Sequence, residues 1–271
     1  MVELAEQKEE FELKGLNVAA VSYDSPAVLK HFADRAGVDY PLLADTDSEL
    51  IRAFGILNDR IPADHRFYGI PNPGYYVIDE NGIVQSKYFE ERYQDRFTSA
   101  SILVREFDDP GEVQGEAETP HLRASWSASN HEVLGGNRVS LILQVAMKPK
   151  MHVYAPDVTG YLPVDWKMTS SAGWRDLPAE FPESKLLHLP AIDEIVPVYE
   201  GRFRVVRDLE VGANKQLRPL VSADGTIAVE GVFHYQACDD KVCYLPQQIP
   251  LKWTFGVKAY DRQRAPESLR R

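Results

Sequence analysis

The segment from Glu106 to Glu118 divides the chain into two halves with different hydrophobic patterns. Its sequence, EFDDPGEVQGEAE, contains six acidic residues and no basic residue, together with Pro110 and two glycines. A segment of this composition buries too little apolar surface to form a core and is typical of a solvated linker. We therefore predict two domains, residues 1–107 and 121–258, joined by an acidic linker at 108–120 and followed by a polar tail at 259–271.

The first half alternates between helix and strand patterns. Leu16–Ser22 is an apolar run that suits a buried strand, and Ser25-Pro26 is typical of a helix start. A second strand is predicted over Tyr75–Asp79, with a hairpin turn at Glu80–Gly82. Further helices are predicted over Val2–Leu13, Ser48–Phe54 and Tyr93–Phe107. This order favours a mixed α/β sheet covered by helices.

The second half shows little helical periodicity and is instead a series of short strand patterns. Turn residues such as Gly135-Gly136 and Asp224-Gly225 separate them. The predicted strands are Arg138–Val145, His152–Tyr154, Phe203–Leu209, Thr226–Gln236 and Gln247–Phe255. Strands at this spacing predict an all-β sandwich.

Composition excludes several classes of function. The balance of 30 basic and 41 acidic residues gives a net charge of −11, which argues against nucleic-acid partners. No apolar run is long enough for a transmembrane helix, and the acidic N-terminus shows no export signal. The sequence contains no nucleotide, flavin or haem motif, so we expect no cofactor.

The chain has two cysteines, Cys238 and Cys243, separated by Asp-Asp-Lys-Val. A disulfide between them closes so small a loop that the chain-entropy relation gives only about 2 kcal/mol, against about 4.7 for a 100-residue loop. Such a pair is better suited to thiol–disulfide exchange than to stapling the fold. A structural disulfide and a metal site remain as alternatives. Lys241 would stabilise a neighbouring thiolate, whereas Asp239 and Asp240 would oppose it.

Metal binding is tested by geometry. His234 with the two cysteines would supply three soft ligands. In a flat strand, however, His234 and Cys238 lie about 13 Å apart at about 3.3 Å per residue, which is too far for one zinc ion. Asp45 and Asp47 are more typical of a helix cap than of a cation site, and Met151 with His152 favours core packing over copper. We expect no metal.

Three sequence blocks of the first half are similar to those of a known protein family. They are VAAVSYDS from Val18, YPLLAD from Tyr40, and GIPNPGYYVIDENG from Gly69. In this order they resemble the alkyl hydroperoxide reductase/thiol-specific antioxidant (AhpC/TSA) family, which implies a thioredoxin-like fold. The family's first core strand and redox cysteine have no counterpart here, so we expect an N-terminally incomplete domain, with a catalytically dead scaffold as the alternative. By resemblance, Pro73 is the candidate for the cis-proline of this fold.

The segment FHYQACDDKVCYLP, from Phe233 to Pro246, resembles the cysteine motif of the N-terminal domain of the thiol:disulfide interchange protein DsbD. That resemblance implies an immunoglobulin-like fold, with Cys243 as the thiol that attacks the partner and Cys238 as the resolving thiol. Lys150–Pro156 is similar to the family's aromatic strand beneath the cysteines, and Val198–Gly201 to its cap loop.

Two tyrosines, Tyr199 in the cap-loop segment and Tyr154 in the aromatic strand, are the candidates for shielding the cysteine pair from non-specific oxidation. Their alternative role is ordinary core packing.

The sequence therefore predicts a two-domain protein that exchanges disulfides with other thiol or disulfide proteins through Cys238 and Cys243. Its compartment is expected, by resemblance, to be periplasmic or otherwise extracytoplasmic. The alternatives are a non-catalytic binding module with a structural disulfide, or a fragment of a thiol peroxidase whose active cysteine lies upstream of Met1. Oligomeric state and direction of electron flow are not predicted.

Overall fold

The computed structural model describes residues 1–90, 95–189, 193–261 and 263–269. The chain forms two compact units, the first made of Met1–Leu103 with Tyr260–Arg271 and the second of Val104–Ala259. Within the described residues, no helix is both long and apolar enough to cross a membrane.

The first unit contains short helices and strands in alternation. In chain order they are α1 Val2–Glu6, α2 Lys8–Leu13, β1 Ala20–Ser22, α3 Pro26–Ala36, β2 Leu42–Ala44, α4 Glu49–Ala53, β3 Gly74–Ile78, β4 Val84–Phe89, β5 Arg96–Phe97 and α5 Ser99–Phe107. Helix α5 begins in this unit and ends in the second.

The helix predicted from Ser25-Pro26 is confirmed as α3. The Ser25 side chain accepts a hydrogen bond from the Val28 N–H, and Gly37 ends the helix in the left-handed conformation at φ 67°. The single helix predicted over Val2–Leu13 is instead divided into α1 and α2, because the backbone leaves helical geometry at Gln7 (φ −109°, ψ 6°).

Two small sheets organise the first unit. Strands β1 and β2 pair in parallel, and β1 is shorter than the predicted apolar run. Strands β3 and β4 form the predicted antiparallel hairpin, whose turn is held by Asp79 Oδ1 accepting from the N–H groups of Asn81 and Ile83. Asp45 caps α4 as expected, because its carboxylate accepts from the N–H groups of Glu49 and Ile51.

The prediction of a cis-proline at Pro73 is wrong in this structure. Within the described residues no peptide bond is cis. The Asn72 N–H donates to Ile56 O at 2.7 Å, and Gly74 then begins β3. The backbone runs from Asn72 into β3 with an ordinary trans peptide bond before Pro73.

The second unit consists almost entirely of strands. In chain order these are β6 Glu112–Glu118, β7 Leu122–Ala128, β8 Glu132–Val133, β9 Asn137–Met147, β10 His152–Tyr154, β11 Asp165–Met168, β12 Trp174–Asp176, β13 Lys185–Leu189, β14 Glu194–Glu200, β15 Arg202–Val211, β16 Thr226–Tyr235, β17 Ala237–Cys238 and β18 Gln247–Val257. A short helix, α6 Asn214–Leu217, interrupts them. The five strands predicted from the sequence are all present.

Two sheets of this unit enclose its core. One has the strand order β12-β15-β9-β7-β6 and the other β11-β16-β18-β8. Alternate residues of β16 and β18 point inward, and the stacked indoles of Trp166 and Trp253, 5.6 Å apart, lie in the shared core. The layered arrangement agrees with the predicted β-sandwich.

The expectation that 108–120 is an unstructured linker needs correction, because β6 lies within it. Strand β6 pairs with β7 at the edge of its sheet. Glu118 pairs with Arg123 and Lys148, which offsets its charge. Gly115 lies against Trp126, where an added Cβ would clash with the indole. Backbone pairing and paired charges therefore hold an acidic strand that has little apolar surface.

The polar tail predicted at 259–271 groups with the first unit from Tyr260 onward. Asp261 forms an ion pair with Arg35 of α3 at 2.6 Å, and Glu267–Leu269 forms one turn of 3-10 helix. Local contacts thus order part of a segment that its composition predicts to fray.

Candidate functional site: a cysteine hairpin on a small sheet

A third sheet of the second unit, with the order β13-β14-β10-β17, carries the first cysteine and is called the cysteine sheet below. Its strands pair antiparallel, so successive residues of each strand alternate between two faces. One face packs into the main core through Val153, Tyr199 and Ala237. The opposite face forms a separate buried cluster of Tyr154, Val196, Val198 and Cys238.

Cys238 and Cys243 are joined by a disulfide, with their Cα atoms 4.0 Å apart. The two residues face each other as an antiparallel bridge. The Tyr244 N–H donates to Ala237 O at 2.9 Å, and the Asp239 N–H donates to Val242 O at 3.0 Å. The pair therefore closes a tight hairpin that backbone hydrogen bonds hold together with the sulfur bridge.

Asp239 holds the turn of this hairpin. Its Oδ1 accepts from the N–H groups of Lys241 at 2.8 Å and Val242 at 2.9 Å, and its Oδ2 accepts from the Tyr244 hydroxyl at 2.8 Å. These bonds, with Val242 contributing most, lower the pKa of Asp239 below its ordinary value. The Tyr244 ring in turn packs on His121, with centroids 4.5 Å apart. The sequence predicts only that the Asp239 carboxylate would oppose a thiolate. In the structure it also fixes the conformation of the hairpin turn.

The two sulfur-bearing residues differ sharply in exposure. Cys238 is 1% exposed within its cluster, whereas Cys243 is an exposed residue of the turn. Thiol–disulfide exchange proceeds by direct attack on one sulfur, so access decides which sulfur reacts. Cys243 is therefore the more accessible residue of the pair.

Tyr154 lies beside Cys243. Its hydroxyl is 3.7 Å from Cys243 Sγ, and because a disulfide sulfur carries no hydrogen, the phenol is the donor. Burial, followed by the charge of Glu194, raises the pKa of Tyr154 above its ordinary value. The phenol therefore stays protonated at neutral pH and keeps its O–H for the sulfur.

Tyr161 supports Tyr154 and has no role in the sequence-based prediction. The two rings stack with centroids 4.3 Å apart. The Tyr161 hydroxyl donates to Glu194 Oε2 at 2.6 Å, and this bond raises the pKa of Tyr161 to about 12. No sequence pattern distinguishes Tyr161 from other loop tyrosines, since its importance depends on the fold of the loop after β10.

The predicted shielding role of Tyr199 is wrong. Tyr199 is directly opposite Val153 on the face of the cysteine sheet that joins the main core. It stacks on Phe203 at 4.7 Å, and its hydroxyl donates to Pro182 O at 2.9 Å. Its neighbour Val198 occupies the cysteine face instead, because strand residues alternate and the sequence does not give the register.

The other histidines discussed from the sequence have separate positions. His234 pairs with Gln248 and Asp165 in the β11-β16-β18 sheet, away from the strands of the cysteine sheet. His152 is directly opposite Cys238 on β10 and is buried. Within the described ranges there is no group of three or more histidine, cysteine or acidic side chains placed to hold a metal ion.

Two exposed apolar residues lie close to Cys243 in sequence. Val242 immediately precedes Cys243 and is 52% exposed, and Leu245 lies two residues later and is 84% exposed. Exposed apolar side chains are often part of a contact surface for another protein.

Comparison with known proteins divides the chain where its hydrophobic pattern changes. Residues 1–87 match the model of the AhpC/TSA family, and residues 119–250 match the model described as thiol:disulfide interchange protein DsbD, N-terminal. The chain therefore has a thioredoxin-like N-terminal region followed by a β-rich region that resembles the N-terminal domain of DsbD.

Curated relatives match about 30% of the chain. A Mycobacterium tuberculosis protein whose assigned name is that of a peroxiredoxin is 36% identical over 84 residues, which are 29% of this chain and 50% of that protein. Peroxiredoxin Q, chloroplastic, of Gentiana triflora is 36% identical over 80 residues, 30% of this chain and 34% of that protein. The chain thus spans half the length of the mycobacterial relative and about a third of the length of the plant relative.

A solved structure is similar to part of the chain. The N-terminal periplasmic domain of ScsB from Proteus mirabilis has 16% sequence identity and a TM-score of 0.38, covering 53% of this chain and 51% of that one.

Proposed function

We propose that the chain is a thiol–disulfide exchange protein that acts through Cys238 and Cys243. The observation that carries this proposal is the asymmetry of the hairpin disulfide, with Cys243 exposed at the turn and Cys238 buried beneath it. An accessible attacking sulfur next to a protected resolving sulfur is what a two-step exchange requires. The match of residues 119–250 to the DsbD N-terminal model supports the same chemistry.

In the reducing direction, the Cys243 thiolate attacks a partner disulfide and forms a mixed disulfide, while one partner sulfur leaves with the electron pair. The Cys238 thiol loses its proton and attacks Cys243 Sγ, which re-forms the hairpin disulfide and releases the second partner sulfur as a thiolate. The dithiol is oxidised by two electrons and the partner is reduced by two. The Tyr154 O–H, directed to Cys243 Sγ, stabilises the Cys243 thiolate at the start of this sequence.

The partners that fit this site are other proteins that carry a disulfide or dithiol. Val242 and Leu245, within two residues of Cys243 in sequence, are exposed apolar side chains available to such a partner. We propose an extracytoplasmic compartment, because a disulfide such as the one seen here persists where the surroundings are oxidising. We also propose that the two facing sheets, including β6, form an immunoglobulin-like domain. Residues 1–107, which precede it, contain no cysteine.

The test replaces both cysteines with serine and measures reduction of a protein disulfide by the reduced full chain. We expect complete loss of activity in the double variant. Activity equal to that of the unchanged protein would overturn the proposed site.

A second candidate function is a non-catalytic binding module in which the disulfide is structural. Its support is the hairpin itself, in which backbone and side-chain hydrogen bonds hold the two cysteines together. The reduction potential separates the two candidates: a value above about −300 mV fits exchange, and a value well below it fits a structural bond.

A further inference from the structure

His152 stands directly opposite Cys238 across the β10–β17 pair. Directly paired residues of an antiparallel sheet place their side chains on the same face, with Cβ atoms about 4.5–5.5 Å apart. Two residues further along β10, Tyr154 lies on that same face, and the two rings meet edge to face at 5.6 Å. The imidazole therefore shares the buried side of the cysteine site with Cys238.

The ring of His152 is buried and incompletely hydrogen-bonded. The residue is 2% exposed, and its Nε2 is a buried atom that makes no hydrogen bond within the described part of the chain. A buried nitrogen without a partner is costly, and buried polar groups are normally paired. In the disulfide form Cys238 has no hydrogen to donate, but reduction gives it an S–H group. In the reduced site the Cys238 S–H group is therefore a hydrogen-bond donor on the same face as His152 Nε2. The oxidised site has no such donor at Cys238.

The buried thiol of Cys238 also needs help to react. Only the thiolate attacks a disulfide, and burial disfavours the charged form of the sulfur. The acidic groups that act on His152 are Glu200 from β14 and Asp239 and Asp240 from the hairpin, and they favour its protonated form. Burial outweighs them and lowers the pKa of His152 below its ordinary value, so the ring is neutral and basic at neutral pH.

We propose that His152 is the proton acceptor for Cys238 during resolution of the mixed disulfide. Neutral His152 takes the S–H proton, and the Cys238 sulfur attacks Cys243 Sγ with the electron pair left behind. The bond between Cys243 and the partner breaks, the partner sulfur leaves as a thiolate, and the imidazolium returns its proton to that thiolate or to water. In the opposite direction, protonated His152 gives a proton to Cys238 as it leaves. This inference rests on the proposed exchange function.

The test uses the reduced full chain with dithiobis(nitrobenzoate), an aromatic disulfide whose released thiolate is coloured. Attack by Cys243 releases one coloured thiolate, and attack by Cys238 on the resulting mixed disulfide releases a second. Stopped-flow absorbance resolves the two phases across pH. The variant is His152→Gln, which keeps a polar side chain but accepts no proton, and the matched control is His234→Gln, on a different sheet.

We expect the second phase of His152→Gln to be slower by about 100-fold at neutral pH, a size typical of general-base catalysis, while its first phase and both phases of His234→Gln stay unchanged. In the unchanged protein the rate of the second phase should rise with pH as His152 loses its proton, and should then level off. Because the pKa of His152 is lowered, the plateau should begin below pH 6.5, the ordinary pKa of histidine. His152→Gln should lose this plateau and follow hydroxide concentration instead.

A second phase in His152→Gln within about twofold of normal, or slowed with the same pH profile, would overturn the role of His152. If His152→Gln does not fold, the unchanged protein still decides the matter, because a second phase rising about tenfold per pH unit from pH 6 to pH 8 excludes a histidine base. Failure of the exchange function itself has a different signature, since the second phase would then be absent from the unchanged protein or would persist in Cys238→Ser.

Discussion

The two faces of the cysteine sheet are built from the same strands but have different properties. One face carries Tyr199 and Val153 into the main core, and the other carries Tyr154 and His152 beside the cysteines. Neighbouring residues of one strand thus lie in two different buried clusters, one in the main core and one beside the cysteines. The difference shows that an aromatic residue on a strand of this sheet can act on the cysteines only if the strand register places it on their face.

The strongest way to test this comparison is Tyr199→Ala. Removing a buried aromatic ring from a packed core costs about 3–5 kcal/mol of unfolding free energy. Chemical denaturation should show this loss. Alkylation of reduced Cys243, measured well below the unfolding transition, should keep its normal rate, because Tyr199 lies on the other face. A changed alkylation rate in the folded protein would contradict the assignment of Tyr199 to the core.

Tyr154→Phe should show the opposite behaviour. The unfolding free energy should change little, because the ring remains and only the hydroxyl is lost. The Cys243 thiolate loses its O–H donor. Alkylation near neutral pH should slow by about threefold, because the lower thiolate population is partly offset by higher nucleophilicity. Tyr199→Phe is the matched control and should leave the rate unchanged. Equal rates for both variants would remove Tyr154 from the mechanism.

Tyr161→Ala should have a smaller effect in the same direction. Loss of the stacked ring frees Tyr154 from its position, and an aromatic pair is worth about 0.5–1.5 kcal/mol. We expect slower alkylation of Cys243 by twofold or less, and no further slowing when Tyr161→Ala is added to Tyr154→Phe. Additive effects in the double variant would show that Tyr161 acts on the sulfur independently.

The smallest expected effect is on the acid stability of the hairpin. The pKa of Asp239 is lowered in the folded chain, so the carboxylate stabilises the fold above its ordinary pKa, and this contribution is lost as pH falls through the folded value. Between pH 6 and pH 3, the midpoint temperature of thermal unfolding should therefore fall less steeply in Asp239→Asn than in the unchanged protein. Parallel pH profiles would show that the Asp239 contacts add nothing to stability.

Local sequence patterns predicted much of the fold. The helix after Ser25, the hairpin at Asp79 and five strands of the second unit were identified because caps, turn residues and alternation are local signals. Strands β13 and β14 were missed, since Pro197 interrupts the pattern of β14 and neither strand alternates clearly. The acidic strand β6 was missed because edge pairing depends on backbone groups that composition does not reveal.

The candidate site was predicted only in part. The spacing of Cys238 and Cys243 marked the pair for exchange chemistry. The choice between Tyr154 and Tyr199, and the position of His152 opposite Cys238, required the register of β10 with its neighbours. Register depends on long-range pairing, which a single sequence does not supply.

The central claim, that Cys243 attacks and Cys238 resolves, is tested most directly by trapping. Reduced Cys238→Ser and Cys243→Ser variants of the full chain would each be mixed with a disulfide-bearing partner protein and analysed by non-reducing mass spectrometry. The account predicts a long-lived mixed disulfide at Cys243 in Cys238→Ser and little or none in Cys243→Ser, whose remaining sulfur is buried. Equal trapping in both variants, or trapping at Cys238 alone, would contradict it.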